Sequence, residues 1–375
     1  MKPGPPPVVG LRRRFAFKLL TGLTGLTGLT GLTGLTGVLL ASDLLAQPAP
    51  GAMLQVGPTR AITSLAEASR RVRDGDTIEV DAGTYRGDVA VWQRDGLTLR
   101  AVGGRVRLLA EGAAAEGKAI WVMRGGQVLV EGFDFEGTRV AARNGAGIRF
   151  ETGRLTVRDC RFVDNEMGLL TNNDPQAELT VENSEFARNQ RPDGHNHNLY
   201  VGSIGRLIVT GSHLHHASTG HLLKSRAAVN YIAHNRLVDG PQGSASYELE
   251  FPNGGVAVVL NNLIQQNART QNTIMISYGA EGYRWPANTL VLARNTLVDD
   301  LPQGGIALRV MPGDVTLKLF DNLLVGGSGP LLATPASPAD DVRDNRRVER
   351  DAYEKGLLPA GTLPPTAAPS SGVHR

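Results

Sequence analysis

The chain has 375 residues, among them 46 Gly, 21 Pro and a single Cys, and its formal net charge is +3. One Cys excludes a disulfide framework, and a hydrophobic content of 41% argues against a wholly disordered chain. The sequence pI of about 9.1 would fit a nucleic-acid-binding protein only if the basic residues belong to the folded part of the chain.

Residues 1–46 have the composition of a secretory signal peptide. Five basic residues precede an uncharged run, residues 19–42, which contains five Thr-Gly-Leu triplets. A basic start followed by an uncharged, partly apolar segment predicts export, so we expect a periplasmic or secreted protein with no stable membrane insertion after signal removal. The remaining chain keeps 34 of the 39 basic and 35 of the 36 acidic residues, and this near neutrality predicts no nucleic-acid partner.

The folded part begins with a predicted helix. Residues 62–73 are amphipathic, and Ser64 and Glu67 have the spacing of a capping box. The segment that follows, GDTIEVDAGTYRG from Gly75, alternates apolar and polar residues as a β-strand does. We expect the helix to cover the open end of a β-structure that starts at this strand.

From residue 135 onward the chain repeats with a period of about 27 residues. Most repeats contain a small or polar residue two positions before a large apolar one. The apolar positions, one in each repeat, are Phe135, Phe162, Phe186, Leu214, Leu237, Ile264, Leu297 and Leu324. The polar positions are Cys160, Ser184, Ser212, Asn235, Asn262, Asn295 and Asn322. Short strands at this period predict a solenoid of parallel strands, in which the Asn side chains form a hydrogen-bonded ladder.

These repeats resemble the right-handed parallel β-helix proteins of the pectate-lyase superfamily, and the resemblance covers residues 53–330. The segment GDTIEVDAGTYRG is similar to the first coil of that superfamily. The expected fold is all-β, a single-domain right-handed parallel β-helix with an N-terminal capping helix. The expected boundaries are 1–46 for the signal peptide, 47–330 for the β-helix and 331–375 for a C-terminal cap or loose tail, which holds six of the 21 Pro.

A second strand in each repeat carries charged residues. In the segment HLLKSR, strand alternation turns Leu223 and Ser225 toward the core, which directs Lys224 and Arg226 outward. The outward positions of such strands would lie side by side along one sheet. We therefore predict a charged groove on this face of the solenoid.

The next repeat, SYELEF, adds two carboxylates to this groove. Alternation turns Tyr247 inward and Glu248 and Glu250 outward. Glu248 follows Lys224, and Glu250 follows Arg226, at the same separation in sequence, which is about one coil. We expect the two cation–carboxylate pairs to occupy adjacent rungs.

Other polar residues and several His are predicted near the groove. The same face should also carry Arg149, Glu151, Asn172, Tyr200 and Arg309. Seven of the eight His fall within residues 195–234, and three of them, His195, His197 and His221, directly precede outward-facing strands. Clustered titratable groups favour a functional groove near Lys224. A zinc site made by the three His is a secondary interpretation, because their spacing is not that of a zinc motif.

The segment HLLKSRAAVNYIAHNRL resembles the Lys-Ser-Ser segment of the alginate lyase and chondroitinase B type polysaccharide lyases. The resemblance implies that Lys224 is the catalytic base, that an Arg lies nearby, and that acidic residues hold calcium against the substrate. The Arg-His-Gly that the family has one coil later is replaced here by Tyr-Glu-Leu-Glu, so Arg226 or Arg309 would have to supply the Arg. Calcium, the one cofactor implied, would be held by Glu248 and Glu250.

The predicted function is β-elimination in a polysaccharide that contains uronic acid. Lys224 would remove the proton next to the carboxylate, Arg226 would bind that carboxylate, and Tyr200 or His221 would protonate the leaving oxygen. The residues expected to bind substrate are His197, Arg309, Glu248, Glu250 and Asn172. The partner would be an acidic polysaccharide, and we expect a monomer.

Three alternatives are kept open. Glu248 and Glu250, about 6.5–7 Å apart on one strand, have nearly the spacing of an inverting glycoside hydrolase. A non-catalytic carbohydrate-binding β-helix would present the same charged face without turning over a substrate. Cross-strand ion pairs that only stabilise the sheet would predict that Lys224→Ala lowers the melting temperature and changes nothing else.

Overall fold

The computed structural model describes residues 51–191, 196–270, 272–334 and 336–357. The predicted signal peptide and His195 lie outside these residues. Within them the chain forms 28 β-strands and two short α-helices. Neither helix of this part is long and apolar enough to cross a membrane.

The secondary structure elements have the following bounds. The first are β1 (Met53–Val56), α1 (Leu65–Arg71), β2 (Thr77–Arg86), β3 (Ala90–Trp92), β4 (Leu97–Leu109), β5 (Ala119–Glu131), β6 (Phe133–Glu136), β7 (Ala146–Arg158), β8 (Arg161–Val163) and β9 (Met167–Thr171). Next are β10 (Glu178–Glu182), β11 (Glu185–Ala187), β12 (Leu199–Val201), β13 (Arg206–Thr210), β14 (His213–His215), β15 (Leu223–Ser225), β16 (Val229–Ala233), β17 (Arg236–Val238), β18 (Leu249–Phe251) and β19 (Val256–Leu260). The last are β20 (Leu263–Gln266), β21 (Ile274–Tyr278), β22 (Thr289–Ala293), β23 (Thr296–Asp299), β24 (Ile306–Val310), β25 (Thr316–Phe320), β26 (Leu323–Gly326), β27 (Asp341–Arg343), β28 (Arg346–Val348) and α2 (Arg350–Glu354).

The strands stack coil upon coil into three parallel sheets. The first sheet contains β1, β10, β13, β16, β19, β22, β25 and β27, together with parts of β2, β4, β5 and β7. The groove sheet contains β3, β9, β12, β15, β18, β21 and β24, with the first halves of β5 and β7. The third sheet contains β6, β8, β11, β14, β17, β20, β23, β26 and β28, with the ends of β2 and β4. The predicted all-β fold, a parallel β-helix, is confirmed.

Apolar side chains at one repeated position of each coil form a buried row within the core. Each apolar residue predicted from the repeat, from Phe135 to Leu324, pairs in register with the next one along the third sheet. The rings of Phe135 and Phe162 stack at 4.9 Å between centroids, and those of Phe162 and Phe186 at 4.6 Å. These buried stacks explain why the repeat is visible in the sequence: each coil must offer an apolar residue to both of its neighbours.

The predicted polar ladder is confirmed as well. The Asn262 side-chain amide donates to the Asn295 side-chain oxygen at 2.9 Å, and Asn295 donates to Asn322 at 3.0 Å. The ladder continues to Asn345, whose oxygen accepts from Asn322 at 2.8 Å. The same oxygens accept backbone N–H groups of the preceding coil, so the buried turn keeps its hydrogen bonds.

One end of the described solenoid carries helix α1, and the other end carries strands β27 and β28. Helix α1 spans Leu65–Arg71 and is shorter than the predicted helix over 62–73. At its start the Ser64 hydroxyl accepts the Glu67 N–H at 3.1 Å, and the Asp88 carboxylate accepts the first two helical N–H groups. The helix buries Leu65 and Ala68 in the same apolar cluster as the first coils. At the other end, β27 and β28 pair with β25 and β26, so strand pairing extends past residue 330.

Candidate functional site

The outward-facing centre of the groove sheet forms one continuous row of side chains. Lys224 lies in register between Tyr200 on one side and Glu250 on the other. The row continues from Glu250 through Ser277 to Arg309, and in the opposite direction through Leu170 to Arg149. Leu223 and Ser225, on either side of Lys224 in its strand, are fully buried, which confirms the predicted orientation of this strand.

The predicted pairing of Lys224 with Glu248 is wrong. Lys224 faces Glu250, the second residue after Glu248, and the Lys224 Nζ lies 2.9 Å from the Glu250 Oε2. The turn between β17 and β18 is longer than the turn between β14 and β15. One coil at this face therefore contains more residues than the number that separates Lys224 from Glu248 in the sequence. Arg226 consequently has a different partner from the one predicted.

Glu248 does not face the groove. Strand β18 begins only at Leu249, so the alternation predicted from the sequence does not extend back to Glu248. Glu248 is completely buried on the rung between Leu222 and Met275. Neither of its carboxyl oxygens has a hydrogen-bond partner among the described residues. Burial, together with the nearby charges of Asp239 and Asp299, raises the pKa of Glu248 well above its usual value.

Tyr247 is turned outward, which also contradicts the prediction. Its ring lies 5.0 Å from the ring of His221, and its hydroxyl accepts a hydrogen bond from Arg309. The Arg309 guanidinium is 5.7 Å from the centre of the Tyr247 ring. Arg309 is therefore held at the edge of the site by Tyr247, beyond Glu250 and its ion pair.

His197 and His221 form a stack beside the charged row. The two rings are nearly parallel, with their centroids 4.4 Å apart, and the His197 Nδ1 accepts the backbone N–H of His221 at 2.9 Å. The His221 Nε2 lies 3.3 Å from the Glu250 Oε2. Burial, and then the charges of Lys224 and Arg226, lower the pKa of His221 to about 3. His221 is therefore neutral at ordinary pH.

Glu281 was missed by the sequence analysis. It lies in the loop between β21 and β22, and its carboxylate accepts from the Arg226 Nη2 at 2.6 Å and from the Arg226 Nε at 2.9 Å. The Lys224 Nζ donates to the same carboxylate at 3.1 Å. Burial raises the pKa of Glu281, but the hydrogen bonds from Arg226 and Lys224 outweigh it and hold the pKa below its usual value. The longest interval of the repeat, from Ile264 to Leu297, was the available sign of this loop.

Tyr200 completes the cluster on the other side of Lys224. Its hydroxyl accepts a hydrogen bond from the Arg226 Nη1, and the Arg226 guanidinium is 5.1 Å from the centre of its ring. We use the name charged cluster for Tyr200, Lys224, Arg226, Glu250 and Glu281. Two cations and two carboxylates thus meet on one strip of the groove sheet.

The remaining predicted residues lie outside this cluster. Asn172 accepts two hydrogen bonds from Arg149, at 2.8 and 3.0 Å, further along the sheet. Glu151 pairs with Lys118 at 2.8 Å and with Arg124 at 2.7 Å. These contacts lie among the earlier coils, away from Lys224 and Arg226.

The His-rich segment divides between two faces of the solenoid. His213 and His215 belong to strand β14 of the third sheet, where the His215 Nε2 lies 3.3 Å from the Glu185 carboxylate. Burial, and then the neighbouring charge of His215, lower the pKa of His213 to about 4. His234 occupies a turn with a φ of 58°. The clustering seen in the sequence therefore reflects separate places in the fold.

The described residues, which do not include His195, do not form a calcium or zinc site. In the part of the chain that the structure describes, no group of three or more His, Cys, Asp or Glu side chains converges as metal ligands. Glu248, one of the two predicted calcium ligands, is buried, and Glu250, the other, is paired with Lys224 and His221. His197 and His221 stack face to face, an arrangement that does not direct their ring nitrogens toward a shared metal.

A large hollow lies elsewhere on the molecule. It has a volume of about 590 Å³ and is formed by one face of α1, strand β3 and Ala115, with Arg70 and Arg94 at its edge. We place the candidate site at the charged cluster instead, because a convergence of cations and carboxylates with a perturbed pKa among them is typical of functional sites.

No protein-family model and no curated protein sequence matches the chain. Among solved structures, the chain is similar to pectate lyase Pel9A, with 14% identity over 79% of this chain and 80% of that one and a TM-score of 0.46. It is similar to a DFA-IIIase from Arthrobacter chlorophenolicus A6, with 12% identity over 80% and 99% of the two chains and a TM-score of 0.46. A third similar structure is a pectin methylesterase from Aspergillus niger, with 11% identity over 80% and 91% and a TM-score of 0.38. At these identities and TM-scores, the similarity carries no activity over to this chain.

Proposed function

We propose that the protein is a polysaccharide lyase that cleaves a uronic-acid-containing polysaccharide by β-elimination. The observation that carries this proposal is the way Arg226 and Lys224 hold the carboxylate of Glu281. Arg226 donates to both of its oxygens, through Nε and Nη2, and Lys224 donates to one of them. A uronate carboxylate bound in the same manner would have its negative charge neutralised, which acidifies the adjacent C–H group.

In this proposal Lys224 would act on that C–H group. Its Nζ lies 3.1 Å from a carboxylate oxygen at this position, so the carbon next to the carboxylate would fall within reach of the same nitrogen. In this proposal Glu250, whose Oε2 lies 2.9 Å from the Lys224 Nζ, would take the ammonium proton and leave a neutral amine. Removal of the C5 proton forms the C4–C5 double bond as the C4–O bond breaks.

Tyr200 is the better candidate for the proton donor. Its hydroxyl oxygen accepts from Arg226, which leaves the O–H hydrogen to be donated to the leaving glycosidic oxygen. His221, the other candidate, is neutral and lies against Glu250. In this scheme His221 positions Glu250, and His197 supports His221 from the preceding coil through the stacked rings.

The test is incubation of the purified protein with a panel of polymers: alginate, pectate, glycosaminoglycans and bacterial exopolysaccharides, each with and without a chelator. The expected result is a rise in absorbance near ~235 nm from the unsaturated uronate, and unsaturated oligosaccharides by mass spectrometry. Lys224→Met should remove the signal. Glu178→Gln, which breaks an ion pair with Arg206 on the first sheet, is the matched control and should keep it. Absence of unsaturated product on every polymer would refute the proposal.

A retaining glycoside hydrolase is the second candidate. The distance between the Glu250 and Glu281 carboxylates favours it over the inverting enzyme predicted from the sequence. Lys224 Nζ contacts one oxygen of Glu250 at 2.9 Å and one of Glu281 at 3.1 Å, so these two oxygens are at most about 6 Å apart. Retaining enzymes place their carboxylates about 5–5.5 Å apart. Glu248 cannot take part, because it is buried. New reducing ends without unsaturation would select this candidate, and binding without any product would select a non-catalytic carbohydrate-binding protein.

Export and the monomeric state belong to the same proposal. A polysaccharide of this kind lies outside the cytoplasm, which agrees with the signal composition of residues 1–46. Mass spectrometry of the protein recovered from the periplasm or medium should show an N-terminus beyond residue 46. Light scattering on a sizing column should give the mass of one chain.

A further inference from the structure

We propose that Glu281 is a specificity-determining residue: its carboxylate occupies the subsite of the substrate carboxylate, so that only a sugar whose own carboxylate displaces it can bind. This inference rests on the proposed function for the carboxylate subsite. It adds that the unliganded site is closed by a group of the protein itself, and it predicts which ligands are turned away.

The contacts of Glu281 are those expected of a bound carboxylate. Both oxygens accept from Arg226, at 2.6 and 2.9 Å, in the two-point geometry of an Arg–carboxylate pair. One oxygen also accepts from Lys224 at 3.1 Å. Arg226 also donates to Tyr200, so the proposed proton donor is linked to this carboxylate through the same guanidinium.

The Glu281 side chain can leave without opening the loop. The backbone N–H of Glu281 donates to the Pro252 carbonyl at 2.8 Å, and the nearby N–H of Gly279 donates to the Phe251 carbonyl at 2.9 Å. These bonds anchor the loop backbone on the preceding coil. The Glu281 side chain is 38% exposed, so rotation about its own bonds carries the carboxylate into water.

Displacement of Glu281 makes binding an exchange of one ion pair for another. A small carboxylate such as acetate gains little, because it replaces contacts that Arg226 and Lys224 already have. A sugar acid gains more, because its ring and hydroxyl groups add contacts along the sheet. A neutral sugar provides no carboxylate and leaves Glu281 in place. The site would thus select for uronic acids in a polymer and against neutral glycans and small anions.

Glu281→Gln tests this inference, with binding measured by titration calorimetry at constant ionic strength. The ligands are sodium acetate, sodium D-glucuronate and D-glucose. The expected result is that the variant binds glucuronate roughly tenfold more tightly than the wild type and gains measurable acetate binding. Affinity for glucose should not change. Glu178→Gln, which removes a paired carboxylate of the first sheet, should bind all three ligands like the wild type.

Trp285 offers a second readout in the same titrations. Its Nε1 donates to the Arg226 carbonyl at 3.0 Å, whereas the other two Trp, Trp92 and Trp121, are completely buried in the first coils. A ligand at Arg226 should therefore change the Trp285 signal, and Trp285→Phe should remove that change. If Glu281→Gln does not fold, as judged by its thermal unfolding, Glu281→Asp takes its place and should show a smaller gain in the same direction.

Equal or weaker glucuronate binding by the Glu281 variant would overturn the inference, because it would mean that Glu281 does not compete with the ligand. Absence of glucuronate binding in both proteins would overturn it as well. The outcome is separable from that of the lyase proposal. A protein that produces no unsaturated sugar, but whose Glu281→Gln variant gains affinity for uronate, would refute the lyase and keep the carboxylate subsite.

Discussion

Replacing Glu248 by Met should stabilise the protein, because this Glu is buried with two carboxyl oxygens that lack a hydrogen-bond partner among the described residues. The rungs on either side carry Leu222 and Met275, both buried, so an unbranched apolar side chain of similar length suits the position. Glu248→Gln is the companion variant. It removes the ionisable group and keeps the polar atoms.

The magnitude follows from two costs. An unfolded Glu has an ordinary pKa of 4.5, and burial raises the pKa of Glu248 well above it, so each pH unit between the two values costs the fold about 1.4 kcal/mol. Leaving the buried polar atoms unpaired costs roughly a further 1–3 kcal/mol. Glu248→Gln should recover the first cost and Glu248→Met both. At about 2 cal/mol/K of unfolding entropy per residue, 3 kcal/mol corresponds to roughly 5 °C in melting temperature for about 300 folded residues.

The assay is thermal and denaturant unfolding of the wild type and both variants between pH 4 and pH 8. Because the folded state of the wild type holds a proton that the unfolded state releases above pH 4.5, its stability should fall as the pH rises from that value toward the raised pKa of Glu248. Asp239, whose pKa burial raises to about 6, contributes in the same direction in all three proteins. The difference between wild type and Glu248→Gln should therefore widen with pH. Parallel curves, or a Met variant that melts below the wild type at pH 7, would refute the reasoning.

Four further expectations can be checked directly. Lys224→Met should lower kcat by at least about 100-fold, because a general base is lost, and should not change the circular dichroism spectrum. Activity near that of the wild type would contradict the role assigned to Lys224. The pH profile of kcat/KM should show no step from His221 between pH 5 and 8, because the pKa of His221 is lowered to about 3; a step near pH 6 that vanishes in His221→Gln would argue otherwise. Asn262→Ala should cost about 1–3 kcal/mol in denaturant unfolding, since it deprives the Asn235 N–H of its acceptor, and a neutral effect would show that water replaces the ladder. Phe162→Ala should cost about 3–5 kcal/mol by the same measurement, because Phe162 stacks on a ring in each neighbouring coil; a cost below about 1 kcal/mol would mean that the stack relaxes to fill the space.

The repeat was readable from the sequence because the core imposes it. Each coil must place an apolar side chain on the rung between its neighbours, so the positions from Phe135 to Leu324 recur even where the turns differ in length. The Asn ladder was readable for the same reason, since its side chains satisfy the backbone of a buried turn in every coil. Within β15, alternation alone oriented Lys224 correctly, because the strand has fully buried residues on both sides of it.

Which residues form the site depends on the turns and loops that connect the repeated strands. Turn lengths vary without disturbing the core. The sequence analysis assumed a constant coil length and therefore paired Lys224 with Glu248, whereas the longer turn before β18 brings Glu250 opposite Lys224. Glu281 comes from a loop 55 residues beyond Arg226 in the sequence, and no pattern in the chain links the two. The sequence by itself determined the solenoid, its core and the face that carries the charge. The tertiary structure alone decided which charges meet, because contacts between coils depend on turn lengths and loop paths that the apolar repeat does not constrain.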